Sequence, residues 1–252
     1  MAKEYNNTDD FREARFVGVD FSGVRFRDSD LRRLRVVDSH LVDVNISGLV
    51  GSFVVNDIDV TAFVETELSR RHPERIQARE VESPDDYRAM WTTVEGLWSA
   101  AVARARQLPE AARQERVDEE WSFVETLRHL VFATDAWLSR TVLDNPMPYH
   151  RLGYTQTGFS CDDAAAIGID QDARPSLDEV VIVRADRMGM VRRIVDALTD
   201  QELERSCHRT PAPGYPEESN TVRQCLRVVI NEECEHYRYA VRDLAVLEAR
   251  TA

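Results

Sequence analysis

The sequence predicts a mainly α fold of the α+β class, in which a short β-solenoid precedes a four-helix bundle. Two changes of rhythm carry that expectation. Over residues 9–62 a large apolar side chain recurs every five positions, and beyond Thr61 the apolar spacing becomes that of amphipathic helices. The third observation is punctuation: prolines beside Ser, Asp and Asn cut the remainder into four helical runs. With 252 residues and a 43% hydrophobic fraction, the chain can bury a sizeable core.

The repeat row is Phe11, Phe16, Phe21, Phe26, Leu31, Val36, Leu41 and Ile46. Two positions before each later member stands a second inward candidate, from Ala14, Val19 and Val24 to Ser29, Leu34, Ser39 and Val44. A period of five fits neither a 3.6-residue helix nor a 2-residue strand. Its physical solution is a square coil with one side per five residues and the recurring side chain pointing inward. This register resembles the pentapeptide-repeat family, whose fold is a right-handed quadrilateral β-helix with four repeats per coil. The resemblance implies two to three coils over 9–62, too few to dispense with capping by the adjoining helical part of the chain. The solenoid is expected to extend a homodimer interface or to shield one end of the bundle. Some relatives of that type imitate DNA with an acidic surface. Between Phe11 and Ile46, however, seven arginines face six acids (Glu13, Asp20, Asp28, Asp30, Asp38 and Asp43), which argues against mimicry.

Residues 63–83 read as a linker with a short helix, broken at Pro73. The bundle is expected over 84–248. Ser83-Pro84-Asp85-Asp86 is an N-cap with proline in the first turn and acids favouring the helix dipole. Behind it Tyr87, Met90, Trp91, Val94, Leu97, Trp98, Ala101, Val102 and Ala105 keep helical spacing until Pro109. A second helix is expected from Asp118 to Leu143, a third from Pro175 to Leu198, and a fourth from Ser219 onward. The 145–174 segment is too long for a tight turn and is expected to fold over one end of the bundle.

The second helix is apolar nearly all round, so it is buried on several sides, yet His129 sits in its middle. A lone buried histidine is usually a hydrogen-bonded core residue unless partners come from elsewhere. On the fourth helix Glu232 and His236 stand four apart and share a face, as do Glu233 and Tyr237 beside them. Against the stripe of Leu226, Val229, Leu244 and Leu247, the pair Glu233 and Tyr237 points near the centre. Glu232 and His236 lie on its flank. An inward carboxylate is costly without a partner, so a polar cluster is expected between helices two and four.

The run TLRHLVFATDAWL on helix two, together with ExxxH on helix four, is similar to the DinB-like superfamily. That superfamily includes mycothiol-dependent maleylpyruvate isomerase, bacillithiol transferases and the helical domain of ergothioneine sulfoxide synthases. The resemblance covers about residues 84–248 and implies a DinB-like four-helix bundle. It also implies a divalent metal held by His129, Glu232 and His236, zinc first and nickel or iron next. The open coordination position would take a low-molecular-weight thiol for transfer or isomerisation. The near-total preference for arginine (Lys3 is the only lysine) matches a GC-rich, actinobacterium-like source, for which the thiol is mycothiol. The family's texture has HHR at the end of the motif, where this chain has His236-Tyr237-Arg238. Registering helix four on that pattern instead makes Glu233 and Tyr237 the pair. Trp91, Trp98 or Tyr237 are candidates to line the cleft.

A net charge of −13 and a pI near 5.0 lack the footprint of a nucleic-acid or anionic-membrane binder. The chain shows no signal-peptide core and no apolar run of spanning length. Cys161, Cys207, Cys225 and Cys234 have no CxxC spacing and do not form a disulfide framework, which predicts a reduced, cytoplasmic protein. Cys161, in the long loop, is the cysteine best placed to reach a bundle mouth, and Cys225 with Cys234 is a poor zinc pair. His150 and His208 read as surface residues. Two functions compete: a metal-dependent thiol S-transferase or isomerase, and a silent scaffold whose solenoid binds a protein partner.

Overall fold

A computed structural model describes residues 3–6, 8 and 10–251; Asp9, the first residue of the expected 9–62 segment, lies outside them. The chain divides between Ile46 and Ser47 into two compact units.

In the first unit the five-residue period is written into the backbone. Glu13, Gly18, Gly23, Asp28, Arg33, Asp38, Asp43 and, just past the boundary, Gly48 all have positive φ. Each stands two residues after a member of the apolar row. At Phe11, Phe21 and Leu31 the carbonyl accepts from the N–H three residues on, at 3.0–3.1 Å. With positive φ at the third position these are type II turns, and they alternate with open bends. Glycine and aspartate supply most of the left-handed positions because they tolerate that region best. No strand forms between residues 10 and 50, and the row stays 42–61% exposed. The segment therefore has the rhythm of a coil without the buried interior expected of it. Phe11, Phe16 and Phe21 instead pack ring to ring along the chain, with centroids 5.1–6.0 Å apart.

The second unit opens with a hairpin of β1 (Val54–Val55) and β2 (Ile58–Asp59), turned by Asn56 and Asp57, both at positive φ. The helices follow as α1 (Thr61–Arg71), α2 (Glu74–Glu80), α3 (Pro84–Ala105), α4 (Glu110–Arg113) and α5 (Phe123–Thr134). From α5 the chain continues directly as a π-helical segment, Asp135–Val142. Next come α6 (Cys161–Ala166), α7 (Leu177–Asp196), α8 (Asp200–Leu203), β3 (Ser206–Cys207), β4 (Asn220–Thr221) and α9 (Val222–Thr251). Helices α3, α9, α5 and α7 pack in a ring, each against the next, and the π-helical segment extends the α5–α9 contact. Tyr87, Trp91, Leu127, Leu130, Val180, Leu226 and Leu244 fill the centre, each at most 1% exposed.

Two helix starts differ from expectation. Helix two begins at Phe123 instead of Asp118, because Asp118 and Glu119 take positive φ and Ser122 supplies the cap. Helix four begins at Val222 instead of Ser219, because Asn220–Thr221 first pairs with Ser206–Cys207. Among the described residues no helix is long and apolar enough to cross a membrane. All four cysteines are free thiols, with Cys161 exposed and the other three buried.

Candidate metal centre

Helix α5 places His129 because two local signals define its register. Ser122 and Glu125 form a reciprocal capping box at its first turn, with Glu125 N–H to Ser122 Oγ at 3.2 Å and Ser122 N–H to Glu125 Oε2 at 2.9 Å. Every residue from Phe123 to Thr134 is buried, so the helix cannot rotate without exposing core. Helix α9 lies against it and carries Glu232 and His236 one turn apart on the facing flank.

The three side chains predicted from sequence converge. Glu232 Oε2 lies 3.3 Å from His129 Nε2 and 3.0 Å from His236 Nε2, and one ligand atom from each residue falls within 4.8 Å of the other two. Two ligand atoms on one tetrahedral zinc stand about 3.3 Å apart, so two edges of this triangle already have that length. His129 is buried, whereas the side chains of Glu232 and His236 are 33% and 21% exposed. The group thus opens toward solvent on its α9 side.

The hydrogen bonds decide the donor chemistry. His129 Nδ1 sits 3.0 Å from the Tyr154 carbonyl, which can only accept, so Nδ1 carries the proton. Burial, above all, pushes the His129 imidazole below its ordinary value and favours the neutral ring. Its Nε2 is then a lone pair facing a carboxylate. Two acceptors meeting at 3.3 Å repel unless a cation stands between them. The donor set fits a divalent ion: two imidazoles and a carboxylate, with the second nitrogen of one imidazole tied to a carbonyl as metal-bound histidines usually are.

Trp121 walls this group in. Its ring lies 4.5 Å from that of His129 and stacks at 5.5 Å and 20° on that of His236. In the sequence Trp121 is marked only by its place just before Ser122, which caps a helix that is apolar nearly all round. Trp91 and Trp98, considered as cleft lining, are buried in the core instead, and Tyr237 packs edge-on against Trp98. The 145–174 loop reaches His129 from behind, at Nδ1, not at the Nε2 side. His150 is half-buried instead of lying on the surface, with its N–H bonded to Asp135, while His208 is exposed. Glu233 points into the core, 1% exposed, and pairs with the equally buried Arg184. The alternative pair of Glu233 and Tyr237 is thereby divided between an ion pair and an aromatic contact.

Comparison with known proteins agrees with the helical reading. A family model described as the DinB superfamily matches residues 93–240, and one described as pentapeptide repeats matches residues 10–48 in 8 copies. Among solved structures, an uncharacterised protein from Clostridium difficile 630 is similar at 16% identity and a TM-score of 0.46, covering 67% of this chain and 97% of that one. A protein from Streptococcus pneumoniae is similar at 18% identity and a TM-score of 0.45, covering 69% of this chain and 96% of that one. No curated protein matches. Because the first family model spans more than half of the chain, the protein belongs to the DinB superfamily.

Proposed function

We propose that this protein is a metal-dependent enzyme in which His129, Glu232 and His236 hold one divalent ion, with a low-molecular-weight thiol as co-substrate in S-transfer or isomerisation. The observation that carries the reading is the approach of the His129 Nε2 lone pair to the Glu232 carboxylate at 3.3 Å, with the His129 proton held on the opposite nitrogen. When bound, such an ion would supply the charge that converts a thiol into its nucleophilic thiolate near neutral pH. Zinc, nickel and iron all suit two imidazoles and a carboxylate, and zinc is the first choice for three protein ligands with an open position. The chain's own part is to fix those three atoms, to wall one side with Trp121, and to leave the Glu232–His236 side open for substrates. Mycothiol is the thiol we favour, on the arginine-rich composition.

Elemental analysis of purified protein is the direct test. Wild-type protein should carry close to one equivalent of metal, and His129→Ala and Glu232→Gln should lose it while keeping their helical circular dichroism. Metal-free wild-type protein that gains no stability from added zinc would overturn the enzyme reading and leave a scaffold.

A further inference from the structure

Arg128 immediately precedes His129 on α5 and is 1% exposed. A cation so buried needs strong acceptors, and it finds them in main-chain carbonyls. Nε donates to Leu152 O at 3.0 Å and NH1 to Ala173 O at 2.7 Å. NH2 donates to Gly153 O at 3.1 Å and to Asp170 O at 2.6 Å. These acceptors belong to both ends of one strap, 152–153 and 170–173, with α6 between them. The planar guanidinium fork is what allows one side chain to close both ends at once.

The same strap carries the carbonyl that bonds to His129. Tyr154 N–H donates to the backbone carbonyl of Arg128 at 3.2 Å, and the Tyr154 ring lies over the guanidinium, 5.0 Å from its carbon to the centroid. One peptide unit on, Tyr154 O meets His129 Nδ1. The strap cannot settle elsewhere cheaply. At Gly153 an added Cβ would stand 3.1 Å from His150 O and 3.2 Å from Ile169 Cδ1.

We infer that Arg128 is a positioning residue: by clamping the 152–173 strap it holds the Tyr154 carbonyl against His129 Nδ1, and so determines which ring nitrogen His129 presents to its partners on α9. The inference rests on the reading of His129 as a metal ligand, for which Nε2 must be the free nitrogen. Loss of a partner that holds a metal-bound histidine, the place Tyr154 O takes here, typically changes metal affinity roughly 10- to 100-fold, and Arg128 acts through that partner.

The test compares wild-type protein with Arg128→Lys, which keeps the charge and loses the fork. Nitrogen-15 spectra of the metal-free full chain should show His129 as the Nδ1–H tautomer in wild type and as a mixture in the variant. Amides of 152–155 and 170–173 should exchange faster. Zinc affinity, read by competition with a chromophoric chelator, should fall about 10- to 100-fold. Gly153→Ala shifts the strap, including the carbonyl that Arg128 binds, while leaving the Arg128 side chain itself intact; it should act in the same direction, and decides the matter if Arg128→Lys does not fold. Leu203→Ala, a core truncation outside the strap, should lower stability and leave the tautomer alone, which separates positioning from general loosening. Unchanged tautomer and unchanged affinity in both strap variants would overturn the inference. Wild-type protein that binds no zinc, with the tautomer still shifting in Arg128→Lys, would sink the metal reading and leave the positioning role standing.

Discussion

His150 joins one end of the strap to the start of the π-helical segment. Its N–H donates to Asp135 Oδ2 at 2.9 Å, and its Nδ1 accepts from Leu152 N–H at 3.1 Å. Burial first, then the charges of Arg187 and Arg151, push its imidazole below the ordinary value of 6.5. Between that depressed folded value and 6.5, the unfolded chain holds a proton that the folded chain does not, so stability rises with pH across the window. The contribution of neutral His150 is therefore complete above 6.5 and is lost as the pH falls through the interval below it. Protonation at Nδ1 also removes the acceptor for Leu152. Urea midpoints should drop on going from about pH 8 to about pH 5, and less so in His150→Asn, which keeps an acceptor and does not titrate. Identical pH slopes in the two proteins would remove His150 from this account. Among the site residues, local patterns marked His129 in its apolar helix and the i, i+4 pair Glu232 and His236, but it was the resemblance to the DinB-like superfamily that joined the three as a ligand set and preferred that pair to Glu233 and Tyr237. Arg128 and Trp121 were not singled out, since their roles come from a strap and a partner helix remote in sequence. One signal did exist for Arg128: an arginine in a helix apolar on every side must itself be buried.

At the scale of elements, α3 and α7 were legible through their caps, whereas the cap of α5 was not. Ser83, Ser122 and Ser176 each close a reciprocal capping box, and Pro84 occupies the first turn of α3. What misled was backbone geometry with no sequence period of its own. Positive φ at Asp118 and Glu119 delays α5, and a two-residue strand pairing delays α9. The change from α to π hydrogen bonding at Asp135 leaves the apolar pattern of the helix almost unmarked. It nonetheless sets Asp135, fully buried, between the guanidinium of Arg187 and the N–H of His150. The cap of α5 bears most directly on the site, because Glu125 also binds Arg116 through both oxygens and Arg116 reaches the Tyr154 hydroxyl at 3.1 Å. Ser122→Ala removes the acceptor for the Glu125 N–H in a position 2% exposed. It should cost about 1–2 kcal/mol, at the upper end for a cap. In a unit of this size each kcal/mol corresponds to about 2–4 °C in melting temperature. A loss below about 0.5 kcal/mol would show that Glu125 and Arg116 hold the turn without the serine.

Across the whole molecule, burial is divided unevenly. Among the described residues every buried apolar side chain lies at or beyond Val81, and the buried polar ones begin at Ser69. The repeat unit contributes period, turns and an exposed apolar row, but no member of the core. That division was only half legible. The five-residue rhythm is a property of the sequence, whereas whether its row is buried depends on how many coils stack, and eight repeats give few neighbours. A chain beginning at Ser47 therefore loses none of the interactions that hold α3, α5, α7 and α9 together, nor any atom of the His129–Glu232–His236 group. Its thermal midpoint should lie within about 2–4 °C of that of the full chain, the equivalent of about 1 kcal/mol. Its metal content, measured on the same preparations, should be unchanged. A fall of more than about 10 °C would mean that the repeats stabilise the helical unit by several kcal/mol, beyond any interaction within that unit. Loss of metal at unchanged midpoint would instead assign the repeats a part in the site. The apolar row predicts a difference of another kind between the two proteins: eight large side chains exposed in one short segment favour association. The shortened chain should accordingly remain soluble to higher concentration in a precipitant titration, at the same fold and the same metal load.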